Sequence, residues 1–174
     1  MTLAQRCRLI NALILDVDGV LTRGDIVYGE QSGEIKHFHV RDGFAISTWI
    51  QRNKKIGILS GRQSQVTLKR AQELGIEHVV QGQSDKVPGF HRLMEHWKTD
   101  KSSVAYVGDD IPDVAIMKQV GLAIAPADAC IEARISAHAI TRQPAGRGAV
   151  REAIEMILQS QSQWPVMLHE GSIA

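Results

Sequence analysis

The sequence predicts a three-layer α/β fold, a mostly parallel sheet with helices on both faces and a small β-hairpin insertion. Two observations carry the prediction. Apolar runs of strand length alternate with longer segments of helical period from Leu13 to Leu158, the order expected of strand–helix–strand crossovers. Several of these strand runs stop at polar, glycine-bearing turns, and that edge is where open α/β sheets bind ligands. The chain has 174 residues and no internal repeat or linker. It therefore reads as one domain spanning 1–174, with the hairpin insertion at about 23–42 and a tail at about 160–174.

Hydrophobic residues make up 44% and charged residues 22%, with a formal net charge of +1. That balance excludes a disordered chain and offers no general attraction to nucleic acid or an anionic membrane. No apolar run reaches the roughly eighteen residues of a membrane-spanning helix. Met1 to Asn11 lacks the apolar core of a signal peptide, so the cytoplasm is the expected compartment. Cys7 and Cys130 lie far apart, match no metal-ligand spacing and read as two free thiols.

Leu13-Ile14-Leu15 reads as the first strand, buried and ending in Asp16-Val17-Asp18-Gly19. Asp25 to Tyr28 and Ile35 to Val40 are strand-like, with turn chemistry in Gly29 to Gly33 between them. Together they predict the hairpin, which is marginal alone and needs the body or another subunit to cover it. A helix is expected to open at Asp42-Gly43, with Ile46, Trp49 and Ile50 as its apolar stripe. Lys55 to Leu59 is the next strand, ending at Ser60-Gly61-Arg62. Ser64 caps a helix that runs through Leu74 and stops at Gly75. His78 to Val80 is a strand, and a helix starting at Ser84 or Asp85 carries Val87, Phe90, Leu93, Met94 and Trp97. Val104 to Val107 is a strand that ends at Gly108-Asp109-Asp110, and a helix follows through Val120. Leu122 to Ala125 and Ala139 to Thr141 are the last strands, and Gly146-Arg147-Gly148 leads into a final helix. The tail carries an apolar patch, Trp164 to Leu168, that suggests docking.

The polar strand ends gather candidate site residues. Asp16, Asp18, Ser60, Asp109 and Asp110 follow strands, while Lys86 and Asp113 open helices whose N-termini share that edge. Each alone has an ordinary reading as a turn, a cap or a solvated charge. Several carboxylates on one edge repel one another unless a cation sits among them, and oxygen-only ligands suit Mg²⁺. A hydroxyl, a glycine amide and a lysine beside it suit phosphate oxygens. The seven histidines show no zinc-binding spacing, so no zinc site is expected.

Asp16-Val17-Asp18-Gly19-Val20-Leu21-Thr22, Ser60-Gly61-Arg62, Lys86 and Gly108-Asp109-Asp110-x-x-Asp113 resemble, in order and spacing, the four motifs of the haloacid dehalogenase-like phosphatases. The likeness runs from about Ala12 to Leu158, leaves no room for a cap domain, and points to the cap-less tetrameric branch with its Rossmann-like three-layer fold. It implies that Asp16 is the nucleophile and Asp18 the general acid and base. It implies Mg²⁺ on the Asp16 and Asp109 carboxylates and the Asp18 carbonyl, with Asp110 in support and Asp113 orienting Lys86. Ser60, Gly61 and Lys86 would hold the phosphoryl group.

More narrowly, Val40-Arg41-Asp42-Gly43, Leu59-Ser60-Gly61-Arg62, Gln81 to Lys86 and Gly146 to Glu152 resemble the branch acting on an eight-carbon keto sugar acid 8-phosphate in lipopolysaccharide synthesis. In the nine-carbon branch the positions of Arg62 and Glu73 are typically Glu and Lys. Arg62 and Arg70 are the candidates for the substrate carboxylate, reaching a neighbour's site across a subunit interface. The implied partners are a small phosphosugar acid and further copies of the chain in a homotetramer. The alternatives are a related sugar or nine-carbon phosphate, the metal-free dehalogenase chemistry of the wider family, a receiver-like signalling domain and a non-catalytic scaffold. The final residues, Leu168 to Ala174, depart from the family's longer tail, which can enter a neighbouring site.

Overall fold

A strand buried on both faces has to be apolar at every position, and Ala12-Leu13-Ile14-Leu15 is. The computed structural model describes residues 1–30 and 33–165, and in it these four residues are β1 (Ala12–Leu15), wholly buried. The chain begins with α1 (Leu3–Leu9), and β1 is followed by β2 (Val27–Gly29), β3 (Gly33–Ile35), α2 (Val40–Gln51), β4 (Lys55–Leu59) and α3 (Gln65–Leu74). Then come β5 (His78–Val80), α4 (Lys86–Trp97), a 3-10 turn (Lys101–Ser103), β6 (Val104–Val107) and α5 (Ile111–Met117). The remaining elements are β7 (Leu122–Ala125), α6 (Ile131–Ser136), β8 (Ala139–Ile140) and α7 (Ala149–Ser160).

Six strands form one sheet in the order β5-β4-β1-β6-β7-β8, and all its neighbours run parallel. The chain leaves β1 toward β4 and β5, then crosses to β6, β7 and β8 on the other side. The reversal falls at β1, where loops diverge and an open sheet forms a crevice at its C-terminal edge. Side-chain alternation divides the core in two. Leu13, Leu15, Ala105 and Val107 pack on one face against Ile46 and Trp49 of α2 and Ile154 and Ile157 of α7. Ala12, Ile14, Val104 and Tyr106 pack on the other against Phe90, Leu93 and Met94 of α4 and Ile116 and Met117 of α5.

One long-range cap locks the first face. The α7 N-cap is Gly148, at φ 113° and without a side chain to cap the helix. The buried Asp42 of α2 fills the gap, and its Oδ1 accepts from the Arg151 amide at 2.7 Å. A carboxylate at a helix N-terminus meets both unpaired amides and the positive end of the helix dipole. The Asp42 and Gly146-to-Glu152 motifs thus serve one joint.

The hairpin is shorter than its sequence suggests. β2 and β3 pair antiparallel from Val27 opposite Ile35 to Gly29 opposite Gly33. Residues 36–39, expected as strand, are irregular, and α2 begins at Val40 rather than Asp42. Past Ile35 the extended segment has no strand opposite it to continue the ladder, and Phe38 turns to pack on the core instead. Gln31 and Ser32 of the expected turn lie outside the described residues. So does the tail from 166 onward, including Val166 to Leu168 and the departing last residues. Trp164 does pack on the core, edge-on to Phe44. Neither cysteine is in a disulfide. Among the described residues no helix is long and apolar enough to cross a membrane.

Candidate active site

Asp16 and Asp18 leave the C-terminal end of β1, Ser60 and Gly61 that of β4, and Asp109 that of β6. The central parallel strands therefore deliver all of them to one edge. Lys86 arrives as the first residue of α4, behind its N-cap Asp85. Asp113 arrives as the third residue of α5, in a capping box with Asp110 and with a proline in the first turn. Asp16, Asp18, Ser60, Gly61, Arg62, Lys86, Asp109, Asp110 and Asp113, with Gln83, Ser84 and Pro112, line one cavity of about 280 Å³. A larger cavity, about 560 Å³, lies over α7 and β8. There Arg151 is already paired with Glu155 and Arg142 lies near Glu152, so size does not mark the site; converging chemistry does.

Lys86 is the hub, and it is 4% exposed. Its Nζ lies 2.9 Å from Asp16 Oδ2 and donates to Asp113 Oδ1 at 2.6 Å. Burial works against the ammonium, but the two carboxylates outweigh it and hold its pKa above the ordinary value. Asp113 is fully occupied. Its Oδ1 also accepts from the Tyr106 hydroxyl at 2.6 Å, and its Oδ2 accepts from the Asp109 and Asp110 amides at 3.0 and 3.2 Å. Four donors on one carboxylate leave it no lone pair for another task. Asp113 orients Lys86 and the loop after β6.

Asp109 is the opposite case. Its Oδ1 is buried without a hydrogen-bond partner among the described residues. Burial, then the charges of Asp16 and Asp113, push its pKa up to about 8. Asp16 is pushed up to about 7, chiefly by burial and against the pull of Lys86. Asp16, Asp109 and Asp113 each bring a carboxylate oxygen within 4.8 Å of the others. With Asp113 saturated, the available oxygens are those of Asp16 and Asp109. An orphaned buried carboxylate oxygen, an all-oxygen donor set and excess negative charge fit a hard divalent cation such as Mg²⁺. Asp110 is exposed and spends its Oδ1 on the Ile111 amide at 2.8 Å, so its place is in capping α5.

Arg70 does not line the cavity. Its guanidinium lies 5.8 Å from the centre of the Phe38 ring, and it pairs with Glu73 at 3.2 Å. Arg62 stands at the cavity mouth, where its Nη2 donates to Glu34 Oε1 at 3.1 Å. Several contributors went unread in the sequence. Tyr106 was legible only as a strand residue. Gly19 was legible as a turn, without its approach to Asp109. Lys36 of the hairpin segment meets Asp18 and Glu34 meets Lys36, and their only signal was a pair of opposite charges spaced two apart.

Residues 76–154 match the model of the haloacid dehalogenase-like hydrolases, the class that this sheet and this edge define. The 3-deoxy-D-manno-octulosonate 8-phosphate phosphatase of Yersinia pestis is 44% identical over 159 residues, 91% of this chain and 85% of the relative. The Salmonella typhi phosphatase of the same name is 42% identical over 163 residues, 94% of this chain and 85% of its own length. The crystal structure of the Yersinia pestis enzyme superposes with a TM-score of 0.90 over 92% of this chain and 86% of that one. The Moraxella catarrhalis enzyme, solved with magnesium, phosphate and a KDO molecule, gives 0.90 at 36% identity over 92% of each chain. The chain belongs to the family of 3-deoxy-D-manno-octulosonate 8-phosphate phosphatases.

Proposed function

We propose that this chain is a Mg²⁺-dependent phosphatase that hydrolyses 3-deoxy-D-manno-octulosonate 8-phosphate to the free sugar acid and phosphate, in lipopolysaccharide biosynthesis. One observation carries the reading. Asp16 and Asp18 share a cavity with Lys86, which bridges Asp16 to a saturated Asp113, and with the orphaned Asp109 oxygen. That set supplies a nucleophile, an acid, a phosphate cation and a place for a metal.

An Asp16 carboxylate oxygen attacks phosphorus, the bond from phosphorus to the sugar oxygen breaks, and an aspartyl-phosphate forms. Asp18 gives its proton to the departing alkoxide, then takes one from the water that attacks the aspartyl-phosphate. That second attack breaks the bond between Asp16 and phosphorus and frees phosphate. Lys86 holds Asp16 in place and offers its charge to the phosphoryl oxygens. Ser60 and the Gly61 amide supply further donors. The Asp16 and Asp109 carboxylates and the Asp18 carbonyl would hold Mg²⁺, which when bound neutralises charge on the transferring group.

We further assign the enzyme to the cytoplasm and to a homotetramer. Ile26, Val27, Tyr28 and Ile35 of the hairpin segment are exposed apolar residues on a single chain, a surface suited to self-association. In that assembly Arg70 would serve a neighbour's site. The test of substrate is phosphate release from eight- and nine-carbon keto acid phosphates and from ribose, glucose and mannose phosphates, with Mg²⁺ and after EDTA. Mg²⁺-dependent release favouring the eight-carbon acid is expected. Equal release from all of them would remove the substrate assignment, and release that survives EDTA would remove the metal.

A further inference from the structure

Lys36 lies one residue past β3, yet its side chain is only 2% exposed. Its Nζ donates to Asp18 Oδ1 and stands 3.3 Å from Glu34 Oε1. Glu34 also accepts from Arg62, so the hairpin segment and the loop after β4 meet over Asp18. A buried ammonium is tolerated only where carboxylates compensate it, and Lys36 has two. The two oxygens of Asp18 are treated differently. Oδ1 is taken by Lys36, while Oδ2 has Arg62 Nε at 3.8 Å, beyond hydrogen-bond length.

We propose that Lys36 is a positioning residue for Asp18, fixing Oδ1 so that Oδ2 is the oxygen presented to the leaving group. The inference rests on the reading of Asp18 as proton donor. An unrestrained carboxyl turns about two side-chain bonds, whereas proton transfer needs a heavy-atom approach of about 2.6–3.2 Å. Lys36 removes that freedom from outside the sheet. The hairpin segment is thus wired to the chemistry of its own chain as well as offering a surface for assembly. Glu34 holds the lysine and Arg62 together, and its spacing of two from Lys36 places both on one side of an extended segment.

The test compares esters that need a proton with esters that do not. Phosphate release, and the first-turnover burst of leaving group by rapid quench, are followed for the wild type, Lys36→Met and Lys36→Arg in saturating Mg²⁺. One substrate is the alkyl 8-phosphate, whose alkoxide leaves only when protonated. The others are acetyl phosphate and p-nitrophenyl phosphate, whose leaving groups depart as stable anions. Lys36→Met is expected to lose about tenfold or more in kcat on the alkyl ester. KM should stay near its wild-type value, as should the first-turnover burst of leaving group from the activated esters, which needs no proton from Asp18. Their steady-state turnover still passes through the water attack that Asp18 serves and falls with it. Lys36→Arg, which keeps a donor, is expected to recover part of the alkyl rate. Equal loss in the alkyl-ester rate and in the activated-ester burst, a rise in KM alone or no loss at all would overturn the proposal. If Lys36→Met does not fold, Lys36→Gln carries the same comparison. A wild type inactive on the alkyl ester would sink the phosphatase reading beneath the inference, a result distinct from the others.

Discussion

Gly19 and Asp109 approach so closely that a β-carbon at position 19 would stand 2.0 Å from Asp109 Oδ2. Gly19 also sits at φ 87°, the left-handed region that side chains disfavour. The first motif and the fourth are therefore packed against each other, and the glycine after the two aspartates is a steric condition for the acidic cluster.

Gly19→Ala should displace the Asp109 carboxylate and strain the backbone, at about 1–3 kcal/mol for the conformation alone. Activity should fall together with Mg²⁺ affinity. Isothermal titration with Mg²⁺ and thermal unfolding check this. Unchanged metal binding in a folded variant would contradict the packing argument.

Lys86 stands between two buried carboxylates, so its removal leaves both uncompensated. Lys86→Met should destabilise the protein by about 3–5 kcal/mol, measured by denaturant unfolding, and abolish turnover. Tyr106→Phe removes one of the four donors to Asp113 and should cost about 1 kcal/mol, with most activity retained. A Tyr106→Phe variant as inactive as Lys86→Met would mean that the hydroxyl does more than hold Asp113.

Metal binding and protonation compete at the acidic cluster. Asp16 and Asp109 have folded-state pKa values of about 7 and about 8, above the ordinary 3.8. Between those limits the folded metal-free protein binds more protons than the unfolded chain. The stability this contributes is full below the ordinary value and is lost as pH rises through about 7 to about 8. The Tm of the EDTA-treated protein should therefore receive a falling contribution across that range. The stabilisation by added Mg²⁺ should grow with pH, because the metal needs the ionised carboxylates. Thermal unfolding with and without Mg²⁺ on both sides of the window decides it. A Mg²⁺ increment that does not change with pH would count against the assignment of these ligands.

Tyr28 is 72% exposed on the single chain, so Tyr28→Asp should leave the fold intact and weaken assembly. Light scattering reads the outcome. A tetramer of undiminished stability would remove the hairpin from the interface, and a monomeric wild type would remove the tetramer.

Much of this was legible in the sequence, for local reasons. β4, β6 and β7 match the expected apolar runs because parallel strands buried on both faces tolerate little else, while β5, half-buried at the sheet edge, matches through its Val-Val pair. α3 begins at Ser64 and ends at Gly75 because a serine cap and a left-handed glycine fix both ends. α1 and α6 escaped the reading. α1 has seven residues and buries only Cys7, and α6 has six residues and an unusual cysteine cap, so neither shows a helical stripe. The strand-end carboxylates were readable because a central parallel sheet carries strand ends to one edge. Asp113 was readable as a partner of Lys86, but not its four donors. Lys36 and Glu34 were readable only as a pair of opposite charges, not as neighbours of Asp18. Their role depends on a segment that folds back from outside the sheet, and no local pattern encodes that return.

The central claim is that Asp16 carries the phosphoryl group. The most direct measurement is mass spectrometry of enzyme quenched in acid during turnover of the eight-carbon phosphate, with the wild type and Asp16→Asn run side by side. One phosphoryl group is expected on the peptide containing Asp16 in the wild type. In Asp16→Asn none is expected, with turnover reduced by several orders of magnitude in a protein that still folds. Near-normal turnover by Asp16→Asn, or a phosphoryl group found on another residue, would contradict it.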